Sequence, residues 1–537
     1  MSGHHHHNHR RRRSSSSKTS RSNTSTISSY LEDVSEDNFE GPKYEIKTSK
    51  IMGRYIVSKK EIKPGEIIIT EEPLVIGPCT DCKVQCLGCY KDLEKEQQIN
   101  KCVSCGWPLC SKKCPGLRKT HGHTQIECTI LQECKSASFL NYTNLEELRT
   151  NFQALVPLRC LILKTTDPSS YAILMDMESH NGIRKNIPDL WALNQARVVD
   201  RIIKDWRLTE FTPEEIHTIC GILEVNAFEI GQGVNIRGLY PTAFLLSHNC
   251  VPNTNHTDEE GTYHLTIRAS TRIPEGHPVT LSYAYTLQCT QKRREHLLEN
   301  KFFECKCQRC CDKTELGTYS GALLCPKCDN GLVLCDNPLN FDSSWSCNSS
   351  GKYCPGYSIN ANSIRVLLNR ISHEVEQIDS NDICAMENFL QKYRNVLHPT
   401  HYLCLSIKVS LSQVYGRISG YLIHELKDKP LIRKKDICHE ILKVFDVIEP
   451  GYTRIRGVTL YEIHAPMMIL LSRQMETESM SKSEIKAALR DVLKYLTEAK
   501  VILSYEPEHS PEGIMGKAAT DALIQIKDWE KIVGKIK

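Results

Sequence analysis

Apolar residues between Tyr44 and Ile76 fall in short β-branched runs rather than at helical spacing. The runs YEIKTS, RYIVSKK and GEIIITEEPLVI are interrupted by turn-forming residues such as KPGE. Runs of this kind, bounded by Pro and Gly, are typical of strands. The pattern therefore predicts short strands here, and the same signals return in YHLTIRASTRI and PVTLSYAY.

Two other regions place their apolar residues at helical spacing. Residues 140–230, with DLWALNQARVVDRIIKDW and EEIHTICGILEVNAFEI, are predicted to be largely helical. After Ser358 the pattern predicts helices to the end, in SIRVLLNRISHEVEQI, LCLSIKVSLSQVYGRISGYLIHEL and EIKAALRDVLKYLTEAKVIL. We expect a helical array there, which could consist of stacked hairpins but has no repeat of fixed period.

The first 40 residues carry almost no apolar side chains and are rich in basic residues, Ser and His. Such a segment cannot form a core, so it is predicted to be a disordered tail. The simplest interpretation of this segment is a flexible tail or a remnant of the expression vector. Its run Arg10–Arg13 could instead serve nuclear import or bind an anionic surface.

Length and charge exclude several classes of protein. A chain of 537 residues can hold two or three domains with their own cores. The net charge of +4 does not indicate nucleic-acid binding. The sequence has neither an apolar run of about 18 residues, as a membrane helix needs, nor the apolar core of a secretory signal.

Cysteine is the unusual component of the composition. The chain has 26 cysteines, ten from Cys79 to Cys134 and nine from Cys305 to Cys354. Close cysteine pairs without a secretory signal indicate metal binding rather than disulfides. They predict a reducing compartment, the cytoplasm, the nucleus or both.

The first cysteine block contains CLGC, CVSC, CSKKC and HGHTQIEC. Seven cysteines and one histidine make two tetrahedral zinc sites. Cys79, Cys82 and Cys134 are surplus, and CTDC could compete with CLGC for the first site. The candidate ligands are Cys86, Cys89, Cys102, Cys105, Cys110, Cys114, Cys128 and either His121 or His123.

The second block predicts two more sites, for about four zinc ions in all. FFECKCQRC supplies three thiolates, and the adjacent Cys311 is poorly placed to be the fourth. Cys250, in LSHNCVPN, is a candidate for that position. CPKC with two later cysteines is similar to a zinc ribbon, with Cys335 as a rival ligand. The two sets contain Cys305, Cys307 and Cys310, and then Cys325, Cys328, Cys347 and Cys354.

In this order the motifs resemble the SET and MYND domain proteins, in particular their arthropod-specific branch. GRYIVSKKEIKPGEIIITEEPLV resembles the first SET segment, and the block from Cys86 to Cys128 an inserted MYND finger. VNAFEI, GLYPTAFLLSHNCVPNT and EGHPVTLSYAY resemble the SET core. KRREHLLENKFFECKCQRC resembles the post-SET segment, and LHPTHYLCLSIKVSLSQVYG with LSYEPEHSPE the C-terminal helices. The resemblance covers about residues 44–530.

The resemblance implies an α+β fold. Its centre is a split SET domain of small β-sheets, in which SHNCVPN and LSYAY pass each other in a pseudoknot. It implies a SET N-terminal segment at 41–85, a MYND finger at 86–128, and SET insertion and core at 129–300. A post-SET and ribbon-like segment follows at 301–357, and then an all-α array at 358–537.

The resemblance also implies S-adenosylmethionine-dependent protein-lysine N-methylation of a histone or non-histone protein. Tyr283 matches the catalytic tyrosine, which orients the amine and contacts the methyl group. Cys250 would complete the post-SET zinc set. In the finger, Cys86, Cys89, Cys110 and Cys114 would share one ion, and Cys102, Cys105, His123 and Cys128 the other. The cofactor would contact Gly53, Arg54, His180, Asn226, Ser247, His248, Tyr283 and Phe303.

Three positions depart from the family pattern. Tyr55 stands at a glycine position, Ser247 at an asparagine position and Lys301 at an aromatic position. They favour a second hypothesis, a catalytically inactive zinc-organised adaptor. Its finger would bind proline-rich partners in transcriptional regulation. Neither hypothesis involves a membrane, and nucleic-acid binding is not indicated.

Overall fold

The strands predicted between Tyr44 and Ile76 are present in the computed structural model, which describes residues 41–535. The predicted tail of residues 1–40 lies outside them. β-Branched side chains such as Ile56 and Ile69 point into the core, which is why these runs form strands. The strands are β1 (Tyr44–Ser49), β2 (Gly53–Ser58), β3 (Ile67–Glu71) and β4 (Val75–Pro78).

The first cysteine block has little regular structure. It contains the short strands β5 (Asn100–Lys101) and β6 (Pro108–Leu109) and the helix α1 (Gln125–Glu133). Thr124 begins that helix, since its hydroxyl accepts a hydrogen bond from the Glu127 amide at 3.2 Å. A block with so few backbone ladders depends on its cysteine and histidine side chains for a fixed shape.

The helices predicted in residues 140–230 are present, with two differences. The segment after Trp191 continues as π-helical turns, Gln195–Val199 and Arg201–Asp205. The last predicted helix ends at Asn226, because Ala227 is extended and the next residues form a strand. The helices are α2 (Leu145–Asn151), α3 (Leu155–Thr166), α4 (Pro168–Met175), α5 (Asn181–Arg184), α6 (Pro188–Asn194) and α7 (Pro213–Asn226), with 3₁₀ turns at Ser136–Phe139 and Phe152–Ala154.

Small sheets form the centre of the molecule. Their further strands are β7 (Phe228–Ile230), β8 (Ile236–Leu239), β9 (Ser247–His248), β10 (Thr254–Asp258), β11 (Leu265–Ala269) and β12 (Thr280–Leu281), with a 3₁₀ turn at Ala243–Leu245. Strand β4 pairs with β8 and β8 with β7, while β3 pairs with β11 and β11 with β10, all antiparallel. Strands β9 and β12 are parallel, so the segment of Cys250 runs beside the segment of Tyr283, as the pseudoknot requires.

One helix precedes the second cysteine block, a short helix opens it, and an antiparallel sheet follows. The elements are α8 (Thr290–Lys301), α9 (Gln308–Cys311), β13 (Leu323–Leu324), β14 (Leu332–Cys335), β15 (Trp345–Cys347) and β16 (Ser358–Ile359). The order of strands in the sheet is β13, β14, β15, β16. The sheet packs with the following helices in one core cluster that includes Trp345.

The predicted helical array follows. One predicted helix is too long, because the chain leaves the helix after Val414 and GRISGYLIHEL forms an irregular turn. Gly416 and Gly420 adopt positive φ there, which ends a helix. The helices are α10 (Ala361–Glu376), α11 (Ile383–Lys392), α12 (Tyr402–Val414), α13 (Asp428–Ile448), α14 (Arg454–Glu476), α15 (Lys482–Leu503) and α16 (Pro511–Lys535).

The helical array is fastened to the central sheets. The Tyr452 amide donates to the Ser270 carbonyl at 2.8 Å, and Arg454 binds both the His256 carbonyl and Glu506. From Pro42 onward the described chain forms one compact unit, so the predicted internal boundaries remain predictions. Among the described helices, none has the length and hydrophobicity to cross a bilayer.

Candidate active site and metal centres

Four groups of metal-ligating atoms converge in the described chain. Within each group, the four ligand atoms lie within 4.8 Å of one another. The groups match the sets that the sequence and the family resemblance predicted. They are Cys86, Cys89, Cys110 and Cys114; Cys102, Cys105, His123 and Cys128; Cys250, Cys305, Cys307 and Cys310; and Cys325, Cys328, Cys347 and Cys354.

The spacing of these atoms fits zinc. Zn–S bonds of about 2.3 Å place the sulfurs of a tetrahedral site about 3.8 Å apart. No disulfide joins any of these cysteines. Sulfur–sulfur distances are 3.5 Å for Cys86–Cys114, 3.7 Å for Cys89–Cys110, Cys102–Cys128 and Cys328–Cys347, and 3.8 Å for Cys325–Cys354.

The histidine that lies in the second ligand group is His123. Its Nε2 lies 3.4 Å from Cys105 Sγ, while Nδ1 donates to Glu127 at 3.1 Å, which leaves Nε2 free for a metal. His121 lies outside the group, and its backbone carbonyl accepts a hydrogen bond from Tyr90. The Glu127 carboxylate therefore selects the tautomer that a metal ligand needs.

Glu127 is itself held by a buried cation. Arg159 donates to its two oxygens at 3.0 and 3.1 Å. Burial alone would raise the pKa of Glu127, but the Arg159 charge and the His123 hydrogen bond hold that pKa below its ordinary value. The carboxylate is thus ionised and balances Arg159 beside the finger.

The surplus cysteines lie outside the four groups. Cys82 is buried, and burial raises the pKa of its thiol to about 12. Cys335 is buried in β14 opposite Trp345, and burial raises its pKa as well. Cys79 is half-buried, and the Cys134 thiol donates to the Leu131 carbonyl.

Cys250 reaches the cysteines of the post-SET segment across the fold. Its Sγ lies 3.8 Å from Cys305 Sγ and 3.6 Å from Cys310 Sγ. The buried Arg293 donates to Cys310 Sγ at 3.6 Å, which supports a negative charge on that sulfur. The exposed Cys311 turns away, with its thiol directed at the Lys306 carbonyl.

Three aromatic rings converge directly beside this group. The ring centroids of His248 and Tyr283 lie 5.2 Å apart, and Phe303 lies 5.8 and 6.3 Å from them. The Tyr283 hydroxyl donates to the Leu246 carbonyl. Burial raises the pKa of this hydroxyl, so it remains neutral, and its oxygen can still accept a hydrogen bond from a ligand.

Two of the predicted cofactor residues, Ser247 and Gly53, each leave a group available to a ligand. Ser247 Oγ is buried and has no hydrogen-bond partner within the described chain. Gly53 has φ +67°, and no atom lies within 4 Å of where a Cβ would stand. An unpartnered buried hydroxyl and an accessible backbone both suit a polar ligand.

The other predicted cofactor residues hold the surrounding segments together. Glu178 joins two of them, since its carboxylate accepts from the His180 amide and its carbonyl from Asn226 Nδ2. Arg54 donates to the Asp176 carboxylate at 2.7 Å and to the Asp176 carbonyl at 2.9 Å. The hairpin of Gly53 is thereby tied to the helical insertion.

Lys301 secures the end of α7, a role that the sequence pattern does not reveal. Its Nζ donates to the carbonyls of Glu224 and Val225, at 2.7 and 3.2 Å, at the end of α7. Burial lowers the pKa of this amine. A lysine at this place satisfies helix-end carbonyls immediately before Asn226. No local pattern shows this, because α7 and α8 meet only in the folded chain.

A SET domain family model matches residues 53–284 of the chain. The SET domain-containing protein SmydA-8, isoform B, of Drosophila melanogaster is 31% identical over 320 residues, which are 57% of this chain and 66% of that protein. The histone-lysine N-methyltransferase SMYD3 of Mus musculus is 25% identical over 50% of this chain and 62% of its own length. The histone-lysine N-methyltransferase ASHR1 of Arabidopsis thaliana is 25% identical over 48% of this chain and 53% of its own length. The match thus spans just under two thirds of the length of the first of these relatives.

Proposed function

The chain belongs to the SET and MYND domain family, and we propose that it is an S-adenosylmethionine-dependent protein-lysine N-methyltransferase. The observation that carries the proposal is the meeting of Tyr283, His248 and Phe303 beside the paired parallel strands β9 and β12. The similarity to the two SmydA-8 isoforms is consistent with the arthropod-specific branch.

The cofactor would supply an electrophilic methyl group on a sulfonium. Ser247 Oγ, still unpartnered, and the open backbone of Gly53 would meet its polar parts. Phe303 would stack on its adenine, while His180 and Asn226, joined by Glu178, would border the same site. Arg54 would hold the hairpin of Gly53 in place through Asp176.

Tyr283 would orient the substrate amine. Its hydroxyl is neutral, and the Leu246 carbonyl fixes its direction. A hydroxyl oxygen held in this way can accept from the neutral amine and contact the methyl hydrogens. The protein would thus lower the barrier by positioning rather than by acid–base chemistry at Tyr283.

The substrate is proposed to be a lysine of a histone or another protein, reached in the cytoplasm or the nucleus. Two similar proteins are named histone-lysine N-methyltransferases, which supports this substrate class. The four ligand groups would hold about four zinc ions and fix the shape of the finger and of the post-SET segment.

The zinc-loaded full-length protein should bind S-adenosylmethionine in a calorimetric titration. Ser247→Ala should weaken binding, because it removes a buried hydroxyl that has no hydrogen-bond partner among the described residues. Thr286→Ala is a matched control, since that hydroxyl already has a protein partner in Glu449. The absence of any binding at about 1 mM cofactor would contradict the proposal.

The second candidate is a catalytically inactive adaptor in transcriptional regulation. Lys301 favours it, because its amine takes the position of an aromatic wall and is committed to α7. In that case the finger would bind proline-rich peptides while the titration with cofactor stays flat. Calorimetry with a proline-rich peptide and with S-adenosylmethionine separates the two candidates.

A further inference from the structure

His248 uses both of its ring nitrogens inside the protein. Nδ1 lies 3.0 Å from the backbone nitrogen of Tyr283, and Nε2 lies 3.2 Å from Cys250 Sγ. These two contacts join the metal-ligand group to the aromatic cluster through a single ring. Strand pairing fixes the backbone of His248, because this residue lies opposite Leu281 in the parallel β9–β12 ladder.

The contacts decide the tautomer of His248. A backbone amide can only donate, so Nδ1 must offer its lone pair to Tyr283. The single proton of a neutral imidazole is then on Nε2, directed at the Cys250 sulfur. A metal-bound thiolate accepts such a hydrogen bond, and the bond in turn orients the thiolate.

Tyr283 is held at both ends by the same short segment. Its amide donates to the His248 ring, and its hydroxyl donates to the Leu246 carbonyl, two residues earlier. Phe303, which packs edge-on against Tyr283, precedes Cys305 by two residues. Both rings that pack on Tyr283 are therefore two residues from a cysteine of one metal-ligand group.

We propose that His248 is a positioning residue that transmits the geometry of the Cys250 metal site to Tyr283. The inference rests on the proposed methyl transfer, in which Tyr283 orients the amine. His248 thereby acts through Tyr283, and its ring nitrogens are not available to cofactor or substrate. A metal ion in this ligand group would determine the orientation of the Tyr283 hydroxyl. The group is Cys250, Cys305, Cys307 and Cys310.

Two substitutions separate the two hydrogen bonds. Asparagine in place of His248 keeps an acceptor near the Nδ1 position and loses the donor to Cys250. His248→Asn should release one of the bound zinc ions to a chelator roughly ten times faster than the wild-type protein. Glutamine reaches toward the Nε2 position, so His248→Gln should retain zinc but lose the acceptor for the Tyr283 amide.

The two variants should also differ in catalysis. With zinc-loaded full-length protein, His248→Gln should lower kcat for methyl transfer roughly tenfold while cofactor affinity stays unchanged. The exposed His277→Asn is the control and should alter neither zinc release nor kcat. Equal zinc-release rates and equal kcat in the Asn and Gln variants would overturn the proposed role of His248, and so would a full kcat in His248→Gln.

A measurement on the unaltered protein avoids any folding defect of the variants. In ¹⁵N-histidine NMR of the zinc-loaded chain, His248 should show a protonated Nε2 and an unprotonated Nδ1. A protonated Nδ1 would overturn the proposal. This readout and the zinc-release rates need neither cofactor nor substrate, so they stand even if the wild-type protein proves inactive in methyl transfer.

Discussion

Cys250 Sγ lies 3.6 Å from Cys310 Sγ, although 60 residues separate them in the chain. A shared metal ion is the interaction that best accounts for such an approach together with Cys305 and Cys307. The post-SET segment would then be fastened to the SET core by coordination bonds.

We expect metal analysis of the purified full-length protein to find about four zinc ions, one for each ligand group. Cys250→Ser should reduce the count to about three, because a serine hydroxyl is a much weaker zinc ligand. Cys335→Ser, at a buried cysteine outside the groups, should leave the count unchanged. An unaltered count in Cys250→Ser would remove that residue from the metal site.

Glu127→Gln should weaken the finger in two ways. Glutamine no longer balances the buried Arg159, which costs about 3 kcal/mol of folding stability. It also weakens the orientation of His123, so zinc should leave the finger at least tenfold faster. Thermal denaturation and chelator kinetics measure both effects. Glu133→Gln, exposed on the same helix, is the control and should change neither.

Lys301→Met should destabilise the protein by about 1 kcal/mol, because the last carbonyls of α7 lose their charged donor. The affinity for S-adenosylmethionine should fall with it, since Asn226 directly follows those carbonyls. Denaturant titration and calorimetry test the two effects. Lys292→Met, at a more exposed position of α8, is the comparison. A variant as stable as wild type would mean that Lys301 does not secure α7.

His401 should make stability depend on pH. Burial lowers its pKa to about 3, against about 6.5 in the unfolded chain. The folded state keeps the ring neutral, so its contribution is complete above pH 6.5 and is lost as the pH falls toward 3. Replacement by glutamine should reduce the stability lost between about pH 7 and pH 5 by roughly 2 kcal/mol. Denaturant unfolding at both pH values tests this, with exposed His296→Gln as the control that keeps the wild-type slope.

Much of the fold follows from local patterns. β-Branched runs predicted β1 to β4, and helical periodicity predicted most of the C-terminal array. The errors lie where glycine or a change of backbone direction overrides periodicity, as at Gly416 and at Ala227. Neither ending shows in the apolar spacing alone.

The site was predictable only in part. Spacing alone identified the cysteine pairs and left His121 and His123 open, whereas the position of Glu127 in the fold favours His123. The contacts of Lys301 with α7 and of Arg54 with Asp176 join residues 77 and 122 positions apart, and no local signal connects them. The assignment of the site residues themselves remains a prediction, which the variants above address.

The proposed role of Tyr283 is tested most directly by methyl incorporation from labelled S-adenosylmethionine into histone, compared between wild-type protein and Tyr283→Phe. We expect the wild-type protein to transfer methyl groups to lysine. The variant should lose at least about 100-fold in transfer, with cofactor affinity retained, because only the orienting hydroxyl is missing. Equal turnover by the two proteins would contradict the role of Tyr283.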